Sequence, residues 1–152
     1  MSKRIMLALL LGGGALAVSA ARADETIVTP KQLKWAQAPS LPKGGQYALV
    51  QGKPTESGPY IYMVKLPANF KIAPHAHNDA RTYVIVSGTL YGGEGEKFDQ
   101  ASLKAIPAGS VMTYTAGTKH FTTTKQPVTF VVIGTGPTEF TYVNPTDDPR
   151  KK

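Results

Sequence analysis

Glycine and proline cut this chain into pieces too short for anything but strands and turns. Fifteen glycines and twelve prolines are spread through 152 residues. Between them lie brief runs rich in β-branched and aromatic residues, and no long segment repeats its apolar residues at helical spacing. Candidate strands are Thr26–Val28, Gln46–Val50, Tyr60–Leu66, Phe70–Ala73, Thr82–Ser87, Thr89–Tyr91, Val111–Tyr114, Phe121–Thr124, Val128–Ile133 and Phe140–Val143. Clusters at Gly52-Lys53-Pro54, Gly92-Gly93-Glu94-Gly95 and Gly134-Thr135-Gly136-Pro137 read as the turns between them. Only Phe98 to Ala105 invites a turn or two of helix. Consecutive apolar positions such as Tyr83-Val84-Ile85-Val86 predict strands covered on both faces, as in small barrels and jelly rolls, which also remove open edges.

The first residues read as a leader rather than as part of this domain. Lys3 and Arg4 precede an apolar run from Ile5 to Val18, interrupted by Gly12-Gly13-Gly14, and Ala21-Arg22-Ala23 supplies small residues at a cleavage site. This is the pattern of a secretory signal, and the run is too short and glycine-rich for a stable membrane anchor. Cleavage between Ala23 and Asp24 would leave 129 residues, 24–152, as a single domain in the periplasm or medium. Without the leader's Lys3, Arg4 and Arg22 the chain keeps 14 basic against 10 acidic residues, a net +4. No basic stripe interleaved with aromatics appears, so no nucleic-acid partner is expected. Cysteine is absent. That excludes disulfides, thiolate metal sites and nucleophilic cysteines, and leaves stability to the apolar core. Trp35 is available to anchor the leading arm.

All three histidines fall in two short segments. His75 and His77 flank one alanine, and on a strand residues two apart point the same way, so both imidazoles can address one point. His120 closes a second segment that begins at Gly109, and must reach that point from a strand distant in sequence. Imidazoles in this arrangement suit one divalent transition metal: iron, zinc, manganese, nickel or copper.

In these segments the chain resembles the cupin superfamily, over roughly residues 60 to 135. The first cupin motif places a glycine, five residues, His-x-His, a glutamate and a closing glycine. Here His75, His77 and Gly88 match, while Asn69 stands in for the leading glycine. The second motif is matched by Gly109, Gly117 and His120, with Thr115 in place of its proline and Thr124 in place of its asparagine. The loop from Gly92 to Asp99 and the ending Asp147-Asp148-Pro149-Arg150 resemble a group of small exported bacterial cupins. The resemblance implies an all-β, cupin-type jelly-roll barrel of two antiparallel sheets with very little helix, and, from family habit, a homodimer.

The family's glutamate ligand is missing. Its slot holds Arg81, or Thr82 by the alternative spacing. Arginine stays protonated and accepts no hydrogen bond, so it cannot ligate a metal. A guanidinium about 6 Å from a dication would oppose it by roughly 5 kcal/mol at an effective dielectric near 20. Three readings stay open. The histidines alone could hold the metal, with Arg81 pairing an anionic substrate or Asp79, as in cupin oxygenases of small thiols and diketones that use three histidines. Asp79 could serve as a fourth ligand. Arg81 could fill the cavity so that no metal binds.

Among other residues, Tyr83, Tyr91 and Tyr114 lie on strands near the motifs and could line a pocket, and Tyr83 and Tyr114 are candidates, with Arg81, to face a small-molecule ligand. Met112 reads as core, Lys119 as pointing away from the site, and Glu94, Glu96 and Asp99 as a solvated hairpin tip, since their spacing fits no calcium loop. The functional expectation is an exported metal-binding cupin acting on a small anionic or oxygen-rich molecule, with dioxygenases among the candidates. The contrasting one is a non-catalytic binding or sensing module, like the cupin-like part of zinc-dependent anti-sigma factors.

Overall fold

The computed structural model describes residues 25–152. The expected leader, residues 1–23, and the cleavage point before Asp24 lie outside the described residues. In chain order the strands are β1 (Ala36–Gln37), β2 (Gln46–Gln51), β3 (Gly58–Leu66), β4 (Lys71–His77), β5 (Arg81–Ser87) and β6 (Thr89–Glu94). There follow β7 (Lys104–Pro107), β8 (Val111–Tyr114), β9 (His120–Thr124), β10 (Val128–Gly136) and β11 (Phe140–Tyr142). Among the described residues helix is confined to single 3-10 turns, and none is long and apolar enough to cross a membrane.

The strands form two antiparallel sheets, ordered β1-β2-β3-β10-β5-β8 and β11-β4-β9-β6-β7. They face one another as a jelly-roll sandwich and do not close into one continuous barrel. Side chains alternate as strand geometry demands: on β10 Val128, Phe130 and Val132 are buried while Thr129, Val131 and Ile133 face outward. The register aligns Val132 with Tyr62 and Tyr83, and Phe130 with Val64 and Ile85. These residues, with Tyr60, Leu66, Ile72, Leu90 and Val128, form the core between the sheets. Each such side chain contributes about 1.5–3 kcal/mol by leaving water, and with no cysteine available this layer must hold the fold.

Several expectations are corrected. Thr26–Val28 is not a strand; the arm acquires order through a 3-10 turn at Pro30–Gln32 and the short β1, and Lys65 sets its ammonium 3.9 Å from the centre of the Trp35 ring. The helical turn expected over Phe98–Ala105 shrinks to Gln100–Ser102, capped by the Asp99 carboxylate, and the chain then enters β7. Two glycine clusters expected as turns lie largely within strands, β6 running to Glu94 and β10 to Gly136. Gly93 lies in β6 where a Cβ would stand 2.4 Å from the Phe121 ring, and Gly134 lies in β10 where a Cβ would stand 2.3 Å from the Tyr60 hydroxyl oxygen. Nor is the second face of β5 covered: Val86 is 50% exposed, and Val111 and Ile133 on the same outer face are 63% and 40% exposed.

Candidate metal centre

The five-stranded sheet supplies all three histidines. His75 and His77 lie on β4 with one intervening residue, and His120 opens β9 directly opposite His75. All three are buried, and one ring nitrogen from each falls within 4.8 Å of the others. The remaining ring nitrogens fix which atoms those are. Nδ1 of His75 meets the Ala73 carbonyl at 2.8 Å, that of His120 the Thr118 carbonyl at 2.9 Å, and that of His77 the Glu139 carbonyl at 3.1 Å. A carbonyl only accepts, so each Nδ1 carries the proton and each Nε2 keeps a bare lone pair. Backbone carbonyls are the usual outer partners of ligand histidines. The donor set therefore fits a divalent transition metal.

Electrostatics favour the same state. Burial first, then the Arg81 charge and His120, push His77 down to about 2. Burial lowers His120 to about 4, and burial together with the other two rings takes His75 well below its ordinary value. Three neutral imidazoles at neutral pH are what a metal requires. Aromatic packing holds them in place. Phe140 lies flat on His75, with centroids 4.2 Å apart and planes 8° from parallel, and Tyr114 stacks on His120 at 4.1 Å.

The opposite sheet supplies Arg81. Its side chain is buried, and its Nη2 donates at 2.5 Å both to Asp79 Oδ1 and to the Thr138 hydroxyl. Tyr60 donates to the other carboxylate oxygen at 2.5 Å, and Thr138 also bonds to Asp79. Burial disfavours ionisation of Asp79, but the hydrogen bonds from Thr138, Tyr60 and Arg81 outweigh it and hold the carboxyl below its usual value. Asp79 is thus spent on Arg81 and stands outside the histidine group, which comprises His75, His77 and His120 alone among the described residues. Of the two partners open to Arg81 in the sequence, the structure places Asp79 against it.

A cavity of about 660 Å³ runs between the sheets and is lined by the three histidines, Arg81 and Tyr83. Most of the remaining wall is apolar or aromatic, including Tyr62, Met112 and Phe130, so Met112 packs on the core and also faces the cavity. Tyr114 is not among the lining residues. It backs His120, and its hydroxyl lies towards Gly92. Tyr91 lies under the Lys125 ammonium, and Lys119 turns to an exposed ion pair with Glu96.

Tyr60, Thr138, Phe140 and the three carbonyls were not singled out from the sequence. Thr138 and the Glu139 carbonyl carry no local signal, because a loop more than fifty residues away delivers them. Phe140 had one: it begins an aromatic alternation, Phe140-Thr141-Tyr142, that now lies beside His77 and His75.

Residues 23–139 match the family described as ChrR Cupin-like domain. No curated protein matches the chain in sequence. Among solved structures, the polyketide cyclase RemF from Streptomyces resistomycificus superposes with a TM-score of 0.68 at 16% identity, covering 84% of this chain and 92% of its own. A candidate acetylacetone dioxygenase from Methylibium petroleiphilum gives 0.64 at 22% identity, covering 86% and 88%. An RmlC-like cupin from Shewanella frigidimarina gives 0.59 at 11% identity, covering 74% and 91%. At these identities the likeness concerns the fold.

Proposed function

The chain belongs to the ChrR cupin-like family, and from that premise we propose that it is a metal-dependent cupin acting on a small oxygen-rich molecule, with dioxygen chemistry the leading candidate. The observation that carries this reading is the convergence of three bare Nε2 atoms on one point in the wall of a cavity of about 660 Å³. That volume is of the size that encloses small ligands. His75, His77 and His120 would hold the metal. Bound there, it supplies a Lewis acid with open positions. The chain's other residues do simpler work. The Ala73, Thr118 and Glu139 carbonyls orient the rings, and Phe130, Met112 and Val132 exclude water from the reacting face. The names of two structural neighbours, a polyketide cyclase and a candidate acetylacetone dioxygenase, accord with an oxygen-bearing carbon skeleton.

A second reading, a module that binds metal or ligand without turnover, is favoured by one observation. Asp79, the carboxylate nearest the histidine pair in the sequence and so the available acid or base, has both oxygens committed. Oxygen uptake by the iron-loaded protein across thiols, 1,3-diketones and phenols separates the two. Turnover supports the enzyme, whereas inertness with each metal at one ion per chain supports the module. Failure to take up any metal would defeat the enzyme and leave only a module that binds a ligand without metal.

The setting belongs to the same proposal. We place the protein outside the cytoplasm, with Asp24 as its first residue, to be read by N-terminal sequencing of the periplasmic fraction. A homodimer is supported by the exposed Val86, Val111 and Ile133 on the outer sheet face; sedimentation showing only monomer would exclude it.

A further inference from the structure

The ending Asp147-Asp148-Pro149-Arg150 lies beyond residue 139, where the family match stops, yet it reaches the histidines through one side chain. Pro145 and Pro149 open two single 3-10 turns, each with its φ fixed by the ring. Asp148 caps the second turn, and its side chain is only 7% exposed. Its carboxylate holds Arg150 as a fork. Nε donates to Oδ1 and Nη2 to Oδ2, each at 2.8 Å, and the Arg150 amide donates to Oδ1 at 3.0 Å. Paired charge-assisted bonds of this kind fix the orientation of a guanidinium as well as its place. The same Nη2 then donates to the Phe140 carbonyl at 2.8 Å.

That carbonyl belongs to a lightly held strand. β11 is three residues long, lies at the edge of its sheet and pairs with β4 alone. An edge strand leaves one row of backbone groups without a ladder partner. The far end of β11 is tied by the Tyr142 hydroxyl to the Ser40 carbonyl and by the Val143 amide to the Pro74 carbonyl. The near end depends on Asn78, which accepts from the Glu139 amide, and on Arg150. Phe140, Thr141 and Arg150 line both the main cavity and a smaller hollow of about 430 Å³ beneath the tail, so this end of β11 is a thin wall between the two. The Phe140 ring lies flat on His75 and meets His77 edge-on, with centroids 4.8 Å apart and planes at 87°. His120 rests on Tyr114 instead.

We propose that the Asp148–Arg150 pair is a positioning latch for the metal centre. It fixes Phe140 against His75 and His77 and so sets how firmly those two imidazoles are aimed, while His120 is aimed independently. Arg150 is a positioning residue in this role and acts only through Phe140. Groups that orient ligand histidines are worth about 10–100-fold in metal affinity, and one that acts through an intervening residue belongs at the lower end. The inference rests on the metal-site reading.

The test is a chelator competition for zinc on the full chain. It compares Arg150→Ala with Lys151→Ala, which removes the same charge from the same turn without touching the Phe140 carbonyl. Arg150→Ala should weaken zinc binding about tenfold, and Lys151→Ala should leave it unchanged. Equal affinity in Arg150→Ala and the wild type overturns the latch, as does an equal loss in both variants. Proton–nitrogen spectra of the imidazole rings in the metal-free protein give a second readout. The His75 and His77 ring signals should move or broaden in Arg150→Ala, with those of His120 nearly in place. A uniform change in all three marks general loosening and overturns the latch, as does no change. Should Arg150→Ala not fold, Asp148→Asn with Arg150→Ala, which strands no buried carboxylate, replaces it with the same expectations. If the wild type takes up no zinc, the metal reading fails separately, and the ring spectra alone decide the latch.

Discussion

Tyr60 reaches Asp79 across a strand that places no side chain between them. Gly134 on β10 is paired with Tyr60 on one side and with Arg81 on the other. A Cβ there would stand 2.3 Å from the Tyr60 hydroxyl oxygen and 2.6 Å from Asp79 Oδ2. The Gly134→Ala variant must therefore displace the hydroxyl, the carboxylate or the strand. Overpacking of this kind costs about 1–3 kcal/mol. Urea unfolding should register the loss, and an unchanged midpoint would mean that the network yields freely.

The Asp79–Arg81 pair is buried on both sides, with side chains 7% and 3% exposed. Asp79→Ala strands a guanidinium in the core and should cost about 3–5 kcal/mol, whereas Asp79→Asn combined with Arg81→Met should cost clearly less than Asp79→Ala alone. A denaturant series on these variants checks the difference. If Asp79→Ala were the milder change, the pair would not be the buried element described.

Metal content separates ligands from their neighbours. After dialysis, elemental analysis should find about one ion per chain in the wild type and in Asp79→Asn, since Asp79 lies outside the ligand group. His77→Ala or His120→Ala should take occupancy towards zero. Equal loss in Asp79→Asn would make Asp79 a ligand after rearrangement.

Acid should destabilise the metal-free protein early. In the folded chain burial chiefly holds His120 down to about 4 and His77 down to about 2. Unfolded, histidines titrate near about 6.5. Below that pH the unfolded chain binds protons that the folded chain refuses, so stability falls as pH falls. Each histidine contributes about 1.4 kcal/mol per pH unit within its window, and Asp79, held below its ordinary value, adds a further loss at lower pH. Urea midpoints in chelator from about pH 7 to pH 4 should drop steadily, and His77→Ala should flatten the slope. A level profile in the wild type would contradict neutral buried imidazoles.

Strand period, turn residues and histidine spacing are local properties, and they were enough to predict an all-β domain and to select His75, His77 and His120, while the jelly roll was implied by the resemblance to the cupin motifs. Residues two apart on a strand share a face whatever the strand pairs with, so His75 and His77 could be joined before any partner strand was known. The groups that touch the histidines and Arg81 depend on which strands become neighbours. Tyr60, Gly134 and Arg81 meet because β3, β10 and β5 are adjacent, and the Glu139 carbonyl reaches His77 because β11 pairs with β4. Gly134 shows the limit most clearly. In the sequence a glycine beside Thr135-Gly136-Pro137 has the composition of a turn, but here it lies in a strand, where the absent side chain makes room for Tyr60 and Asp79. Long-range pairing alone decided that use, because the steric demand comes from residues 55 and 74 positions away.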